Sequence, residues 1–283
     1  MEHTDILVIG GGAAGIAAAK AASDLNCQVT LVDRKPKLGG ILLQCTHAGF
    51  GKDLTGPQYI RKLLKVFPPE VKTVLRTTVL SISADKVAYL SGGKVLSFSQ
   101  LILASGCWEI PLGALPIGGT RPAGIYTAGQ MQEMINLYDY IPEGPVVILG
   151  SGDIGLIMAI QIAALGLPVT IVEQKNKCGG MARNQRWLQQ YPVRLICGQT
   201  IDHVTGMPNL ENCHLSGGES LSCKTLLIAA GLRPERTLIS NLQNPVWLHL
   251  CGNCSTIHPM VEGVIIEGTK AGIIAAQNIR GEI

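Results

Sequence analysis

The feature that most constrains this chain is a glycine pattern that occurs twice, each time between an apolar run and a helix-like stretch. The first copy reads Asp5-Ile-Leu-Val-Ile-Gly10-Gly-Gly12-Ala-Ala-Gly15, then an Ala-rich stretch, then Gln28-Val-Thr-Leu-Val-Asp33. The second reads Val146-Val-Ile-Leu-Gly150-Ser-Gly152-Asp-Ile-Gly155 and, after its own helical stretch, Pro168-Val-Thr-Ile-Val-Glu173. Gly10, Gly12, Gly15 and Asp33 recur as Gly150, Gly152, Gly155 and Glu173 at an offset of 140, and Gly39-Gly40 recurs as Gly179-Gly180. One G-x-G-x-x-G is a weak signal. Two, each in a strand–turn–helix–strand setting with an acid closing the second strand, predict an α/β chain built on two Rossmann-like three-layer dinucleotide-binding domains.

Each residue type has a physical reason. The first glycine makes a tight turn, the second lets main chain approach a pyrophosphate, and the third lets helix and strand pack closely. The pyrophosphate then meets a helix N-terminus, where free N–H groups and the helix dipole favour negative charge. Ala13 and Ala14 occupy that first turn in one copy, Asp153 and Ile154 in the other. Asp33 and Glu173 are expected to accept hydrogen bonds from adenosine ribose hydroxyls. A carboxylate at Glu173 repels a 2′-phosphate, which favours NADH over NADPH, although Lys175 and Lys177 soften that preference.

Composition agrees with such a fold. The chain is 47% hydrophobic and 15% charged with 34 glycines, as suits parallel sheets covered on both faces. A net charge of +3, scattered along the chain, gives no sign of nucleic acid as a partner. Ile6 to Ala19 is uncharged, but Glu2 and Asp5 precede it and four glycines interrupt it, so it reads as a strand and turn rather than a secretion signal. Ile154 to Val172 approaches spanning length, but Gly166 and Pro168 divide it into helix and strand, so no membrane span is expected. The nine cysteines lack the spacing of a disulfide scaffold, and a cytoplasmic location is expected.

The rest of the chain organises around the repeats. Residues 71–105 read as a β-meander, and Leu101–Gly106 as a buried strand ending in glycine, with Leu226–Gly231 its equivalent in the second copy. Residues 193–225 read as a further set of short strands. The tail from Trp247 reads as a strand, a glycine turn and a helix starting between Met260 and Glu267, too small to fold alone and expected to rejoin the first domain. The predicted domains are 1–107 with 232–283, and 108–231.

With both repeats in hand, the whole chain resembles the pyridine nucleotide–disulfide oxidoreductase superfamily. That resemblance implies FAD on the first unit, NAD(P)H on the inserted second unit, and a C-terminal segment completing the FAD domain. It assigns Gly10, Gly12, Ala13, Ala14, Gly15, Asp33, Arg34, Gly39, Gly40, Ser105, Gly106, Gly252 and Asn253 to FAD. Gly150, Gly152, Asp153, Ile154, Gly155, Glu173 and Gly231 go to NAD. Leu38–Phe50, Leu54–Tyr59, Arg121–Gly129, Gly150–Ala159 and Gly231–Glu235 are similar to segments of NAD(P)/FAD-dependent oxidoreductases of anaerobic bacteria. Those enzymes are associated with glycerol-3-phosphate dehydrogenase-like flavoproteins and a small cysteine-containing protein. The Pro-x-Gly-x-x-Thr-Ala-Gly element ending at Gly129 is also similar to subunits of opine, proline and cyanide-forming amine dehydrogenases. A redox partner protein or dehydrogenase subunit is therefore implied. Gly252-Asn253 departs from the Gly-Asp of the superfamily, but an amide can still bond a ribityl hydroxyl.

Flavin chemistry needs few protein acids or bases, and the residues form no triad and no metal set. Where disulfide reductases carry C-x-x-x-x-C after the Gly-Gly turn, this chain has Cys45 only. A helix N-terminus beside the flavin would lower its pKa, whereas the plainer reading is a small core residue. Cys251-Gly-Asn-Cys254 straddles the expected flavin turn and reads as coincidence rather than a redox pair. His47 and His258 are the remaining candidates for donating to the flavin or moving a proton, with Glu267 and Thr269 behind them. The expected function is hydride transfer between NAD(H) and bound FAD, with electrons passing to or from a partner. The alternatives are a non-catalytic cofactor-binding subunit, or a stand-alone NADH-dependent disulfide or peroxide reductase using Cys45.

Overall fold

In the computed structural model, which describes residues 1–282, the first repeat folds as β1 (Glu2–Ile9), α1 (Ala13–Ser23) and β2 (Val29–Val32). After it come β3 (Ala48–Phe50), β4 (Leu54–Thr55), α2 (Gly56–Leu64), β5 (Lys72–Val74), β6 (Val79–Ile82), β7 (Val87–Leu90), β8 (Val95–Leu103) and β9 (Cys107–Glu109). Then β10 (Gly118–Gly119), β11 (Ile125–Thr127) and α3 (Ala128–Tyr138) lead to the second repeat, β12 (Val146–Leu149), α4 (Asp153–Ala164) and β13 (Val169–Glu173). α5 (Ala182–Leu188) precedes β14 (Val193–Cys197), β15 (Ile201–Thr205), β16 (Asn212–Leu215), β17 (Ser220–Ser222), β18 (Thr225–Ile228) and β19 (Leu232–Pro234). The described chain closes with β20 (Leu248–Leu250) and α6 (Val261–Arg280). It divides into two compact units, Met1–Trp108 with Arg233–Ile283, and Glu109–Leu232.

In the first unit the sheet runs β5-β2-β1-β8-β7-β6, with β20 beside the C-terminal half of β8. β1 is parallel to both β2 and β8, so chain order reverses there and a crevice opens beyond its C-terminal end, at Gly10. β2 is buried at every position, as a strand covered on both faces must be, which accounts for its unbroken Val-Thr-Leu-Val. The second unit repeats the plan as a parallel sheet β11-β18-β12-β13-β14, with β12 at the switch, and adds a four-stranded sheet β10-β15-β16-β17. The meander expected over 71–105 is confined to β6, β7 and β8. β5 instead pairs parallel with β2, Thr30 opposite Lys72, and β14 likewise joins β13 rather than the later strands. A short apolar run has the same periodicity in either setting, and the helix before each of these strands delivers it to the parallel edge.

The tail is locked to the first unit by small residues. β20 extends the sheet from β8, Leu248 opposite Leu101, and α6 lies along α1. Gly268 and Gly272 are buried where the two helices touch. A Cβ at Gly268 would collide with the Ala14 carbonyl oxygen and lie 3.0 Å from its carbon; one at Gly272 would stand 3.0 Å from Ala21 Cβ. Because main chain cannot give way as a flexible side chain can, Gly268→Val is expected to destabilise the first unit by roughly 2–3 kcal/mol. A thermal melt followed by circular dichroism checks this; an unchanged melting temperature would mean the helices are not held that closely.

Candidate functional site

The two repeats build their glycine turns, one cradle each, in the same way. Gly10 has φ +107° and Gly150 φ +105°. A Cβ at Gly10 would run into the Ala104 carbonyl, 2.8 Å from its carbon, and one at Gly150 would lie 2.5 Å from the Ala229 oxygen. Gly15 and Gly155 are packed against the carbonyls of Gly10 and Gly150 respectively, where any Cβ would collide. These four glycines are fixed by backbone geometry.

The middle glycines behave differently. A Cβ on Gly152 would meet nothing within 4 Å, and one on Gly12 would meet only Gly40 Cα at 4.0 Å. Their absent side chains leave open space above the main chain, the clearance that an approaching pyrophosphate requires. α1 and α4 start there with Gly12 and Gly152 as N-caps and no side-chain cap hydrogen bond. By contrast, Thr55 and Thr127 cap α2 and α3 through the N–H groups of Gln58 and Gln130. Two helix N-termini thus keep their positive ends open to an anion, and the residues present fit a dinucleotide in each unit.

The acids stand where the sequence puts them. Asp33 accepts from Gly11 N–H at 2.5 Å and Lys35 N–H at 2.7 Å. Glu173 accepts from Ser151 N–H at 2.8 Å, Ser151 Oγ at 2.6 Å and Lys175 N–H at 2.9 Å. Burial pushes the Glu173 carboxyl up, but the Ser151 hydroxyl and the two N–H groups outweigh it and hold the carboxyl below the ordinary value. Gly39 N–H bonds the Gly11 carbonyl at 2.7 Å, which lays the first Gly-Gly turn against the cradle, with Gly40 beside Gly12. The Arg34 guanidinium lies 5.4 Å from the Trp108 ring centroid, in cation–π range. Ala13 and Ala14 are buried in the first turn of α1, and Ile154 packs partly buried in the second unit's core. Asp153 Oδ1 accepts from Met181 N–H and Asn184 Nδ2, both at 2.7 Å. Gly231 has φ +123° and accepts from Ile110 N–H at 3.0 Å.

In the first unit, the turn after β20 gathers several candidates. Asn253 Oδ1 accepts from His258 N–H at 3.0 Å and its Nδ2 faces Cys107 Sγ at 3.8 Å. His258 Nε2 donates to Glu267 Oε2 at 2.6 Å, and the same oxygen accepts Gly252 N–H at 2.9 Å. Ser105 Oγ donates to the Glu235 carbonyl at 2.6 Å, and Gly106 accepts Glu235 N–H at 3.0 Å. Arg236, which sequence reasoning did not single out, donates to the carbonyls of Cys254 and Ser255 at 2.6 and 2.5 Å and so ties down the same turn. Sequence reasoning missed Ser151 as well. The His47 ring lies 5.3 Å from that of Phe50, and Thr269 is half-buried on α6.

Of the two readings of Cys45, the structure gives the small buried residue rather than a thiol at a helix start. It ends the 3-10 helix Gly40–Gln44 instead of opening a helix, and its thiol donates to the Ile41 carbonyl at 3.3 Å. Burial pushes the thiol up to about 12. A thiol held in its neutral form in this way is a poor nucleophile. Iodoacetamide labelling read by mass spectrometry should leave Cys45 unmodified in the native protein and modify it after denaturation. Rapid native labelling would show a lower pKa than this packing gives. Cys251 and Cys254 are both buried thiols with raised pKa values, Cys254 donating to the Leu103 carbonyl at 3.0 Å. Among the described residues no helix is long and apolar enough to cross a membrane. None of their His, Cys, Asp and Glu side chains gather in threes to hold a metal ion.

Two Rossmann-type units with matching cradles define a double dinucleotide-binding protein of the flavoprotein class. The chain belongs to the pyridine nucleotide-disulphide oxidoreductase family, whose pattern matches residues 4–247 and whose members are FAD- and NAD(P)-binding oxidoreductases. It is similar to an opine oxidase subunit of Agrobacterium tumefaciens (strain Ach5), 25% identical over 98% of this chain and 63% of that protein. It is also similar to bilirubin reductase of Mediterraneibacter gnavus (strain CC55_001C), 24% identical over 95% of this chain and 40% of that protein. The chain thus spans less than two thirds of the length of these curated relatives. Its fold matches the thioredoxin reductase of T. acidophilum with a TM-score of 0.77, at 17% identity, over 100% of this chain and 99% of that one.

Proposed function

We propose that this chain is an FAD-dependent oxidoreductase that exchanges hydride between NAD(H), held by the second unit, and FAD, held by the first. The observation that carries the reading is the pair of cradles, each with an uncapped helix N-terminus, clearance at the middle glycine and an acid closing the second strand. When bound, flavin and nicotinamide supply the redox chemistry between them, through N5 of one and C4 of the other. The chain's own residues do the holding. Main-chain N–H groups at the starts of α1 and α4 neutralise pyrophosphate charge, and Asp33 and Glu173 take ribose hydroxyls. The turn at Gly252-Asn253, braced by Glu267 and Arg236, closes the flavin end of the first cradle.

Electrons pass to or from a partner redox protein or dehydrogenase subunit. The likeness to a protein named as part of an oxidase supports a partner, and the likeness to one named as a reductase supports turnover. The motifs shared with oxidoreductases of anaerobic bacteria point to a glycerol-3-phosphate dehydrogenase-like flavoprotein as that partner, which co-purification would recover. The packing of Cys45 weighs against a stand-alone disulfide or peroxide reductase. An anaerobic absorbance spectrum before and after NADH tests the reading. A yellow protein that bleaches promptly is expected; a flavin indifferent to both NADH and NADPH would leave a cofactor-binding role without turnover.

A further inference from the structure

The two cradles differ in how they are fastened. In the first unit the residue between the leading glycines is Gly11, where a Cβ would displace the tip of the Leu38 side chain and lie 3.0 Å from Asp33 Oδ2. Gly11 contributes only its main chain, donating its N–H to Asp33 Oδ2 and accepting the Gly39 N–H at its carbonyl. In the second unit the same position is Ser151, fully buried, and its hydroxyl is committed on both sides. It donates to Glu173 Oε2 at 2.6 Å and accepts Gly179 N–H at 2.7 Å. Two residues on, Asp153 takes the Met181 N–H, so residues 174–181, which carry the exposed Lys175 and Lys177, are tied at their far end to both cradle side chains.

We propose that Ser151 sets coenzyme choice, by holding the Glu173 carboxylate and the 174–181 loop in the one arrangement that accepts a ribose with a free 2′-hydroxyl. This rests on the reading that the second unit holds a pyridine nucleotide. Glutamate is one methylene longer than the aspartate of the first unit and has a further rotatable bond, so it needs a lateral anchor to present a fixed charge. With Oε2 occupied by both Ser151 donors and Oε1 by Lys175 N–H, the spare acceptor capacity of Oε1 remains for a ribose hydroxyl. A 2′-phosphate would meet that fixed charge, while the pinned loop limits how far Lys175, whose charge already acts on Glu173, and Lys177 can rearrange to pair with it. Without the hydroxyl, Glu173 and Gly179 are released together, and the discrimination weakens from both sides.

The test is equilibrium binding of NAD⁺ and NADP⁺ to the flavin-loaded protein by calorimetry. Ser151→Ala is expected to shrink the ratio of the two dissociation constants about tenfold, roughly 1.4 kcal/mol, by weakening NAD⁺ and strengthening NADP⁺. General loosening of the unit would weaken both nucleotides alike and leave the ratio in place. Ser151→Gly, the residue the first unit uses, serves as a second variant should the alanine protein fail to fold. An unchanged ratio in the folded variant, or a wild-type protein that prefers NADP⁺, would overturn the proposal. A wild-type protein that binds neither nucleotide would overturn the reading of the second unit instead.

Discussion

Gly155→Val should give a yellow protein that NADH cannot bleach, whereas Gly15→Val should give a protein that retains little flavin. The two glycines are equivalents, each buried under the carbonyl of the first cradle glycine, with the Cβ of Ala104 or Ala229 3.4 Å from where its own would stand. A valine at either place must push helix from strand, and the clash is with main chain, so about 3 kcal/mol or more of local stability is lost. What differs is the unit in which the damage falls. Units with separate cores lose local structure separately: Ala14, Ala18 and Ile102 pack in one cluster, Met158, Ile162 and Leu227 in another. Nucleotide affinity should therefore fall more than about 100-fold in Gly155→Val while flavin content stays near the wild-type value. Flavin released by denaturation and anaerobic titration with NADH measure the two quantities. Loss of flavin in Gly155→Val together with retention in Gly15→Val would reverse the assignment of cofactors to units.

The cradles were legible in the sequence because their constraint is local and steric. A positive φ at Gly10 and the pressed carbonyl at Gly15 permit no side chain, so the residue type records the geometry directly. The same holds for the division of Ile154 to Val172 into α4 and β13 at Gly166, whose φ is +82°. Ser151 and Arg236 were not legible, since a serine between two glycines and an arginine in a loop look alike whether or not they find partners. Their roles depend on groups 22, 28 and 18 residues away. Cys45 shows a third case. Its place after the Gly-Gly turn was readable, but the helix end on which it falls was not. Burial there raises its pKa, where a helix start would have lowered it. β5 and β14 mark the remaining limit: a short apolar run does not say which strand it will lie beside.

The acid limb of the first unit's stability should carry the signature of Glu267. Its Oε2 joins the Gly252 N–H to the His258 ring, and Gly252, at φ +69°, sits against Ala14 at the start of α1. Burial pushes the carboxyl up, but hydrogen bonds from Ser255, His258 and Gly252, with the His258 charge, outweigh it, so its pKa is lowered on folding. A depressed folded value fixes the sign: the stabilisation is complete above the unfolded carboxylate value of about 4.3 and is lost as pH falls through the lower folded value. Glu267→Gln keeps an acceptor for Gly252 but gives up the charge-assisted bond to His258. At neutral pH this should cost about 1 kcal/mol, a discounted figure because the side chain is partly exposed to screening solvent. Below that window wild type and variant should converge, since protonated Glu267 has lost the same interaction. Glu173 titrates with the same sign in the second unit, so the informative quantity is the difference between the two proteins, followed by flavin release against pH. A constant gap between wild type and Glu267→Gln at every pH would show that the carboxylate's charge contributes nothing, and that the brace on the Gly252 turn is its shape alone.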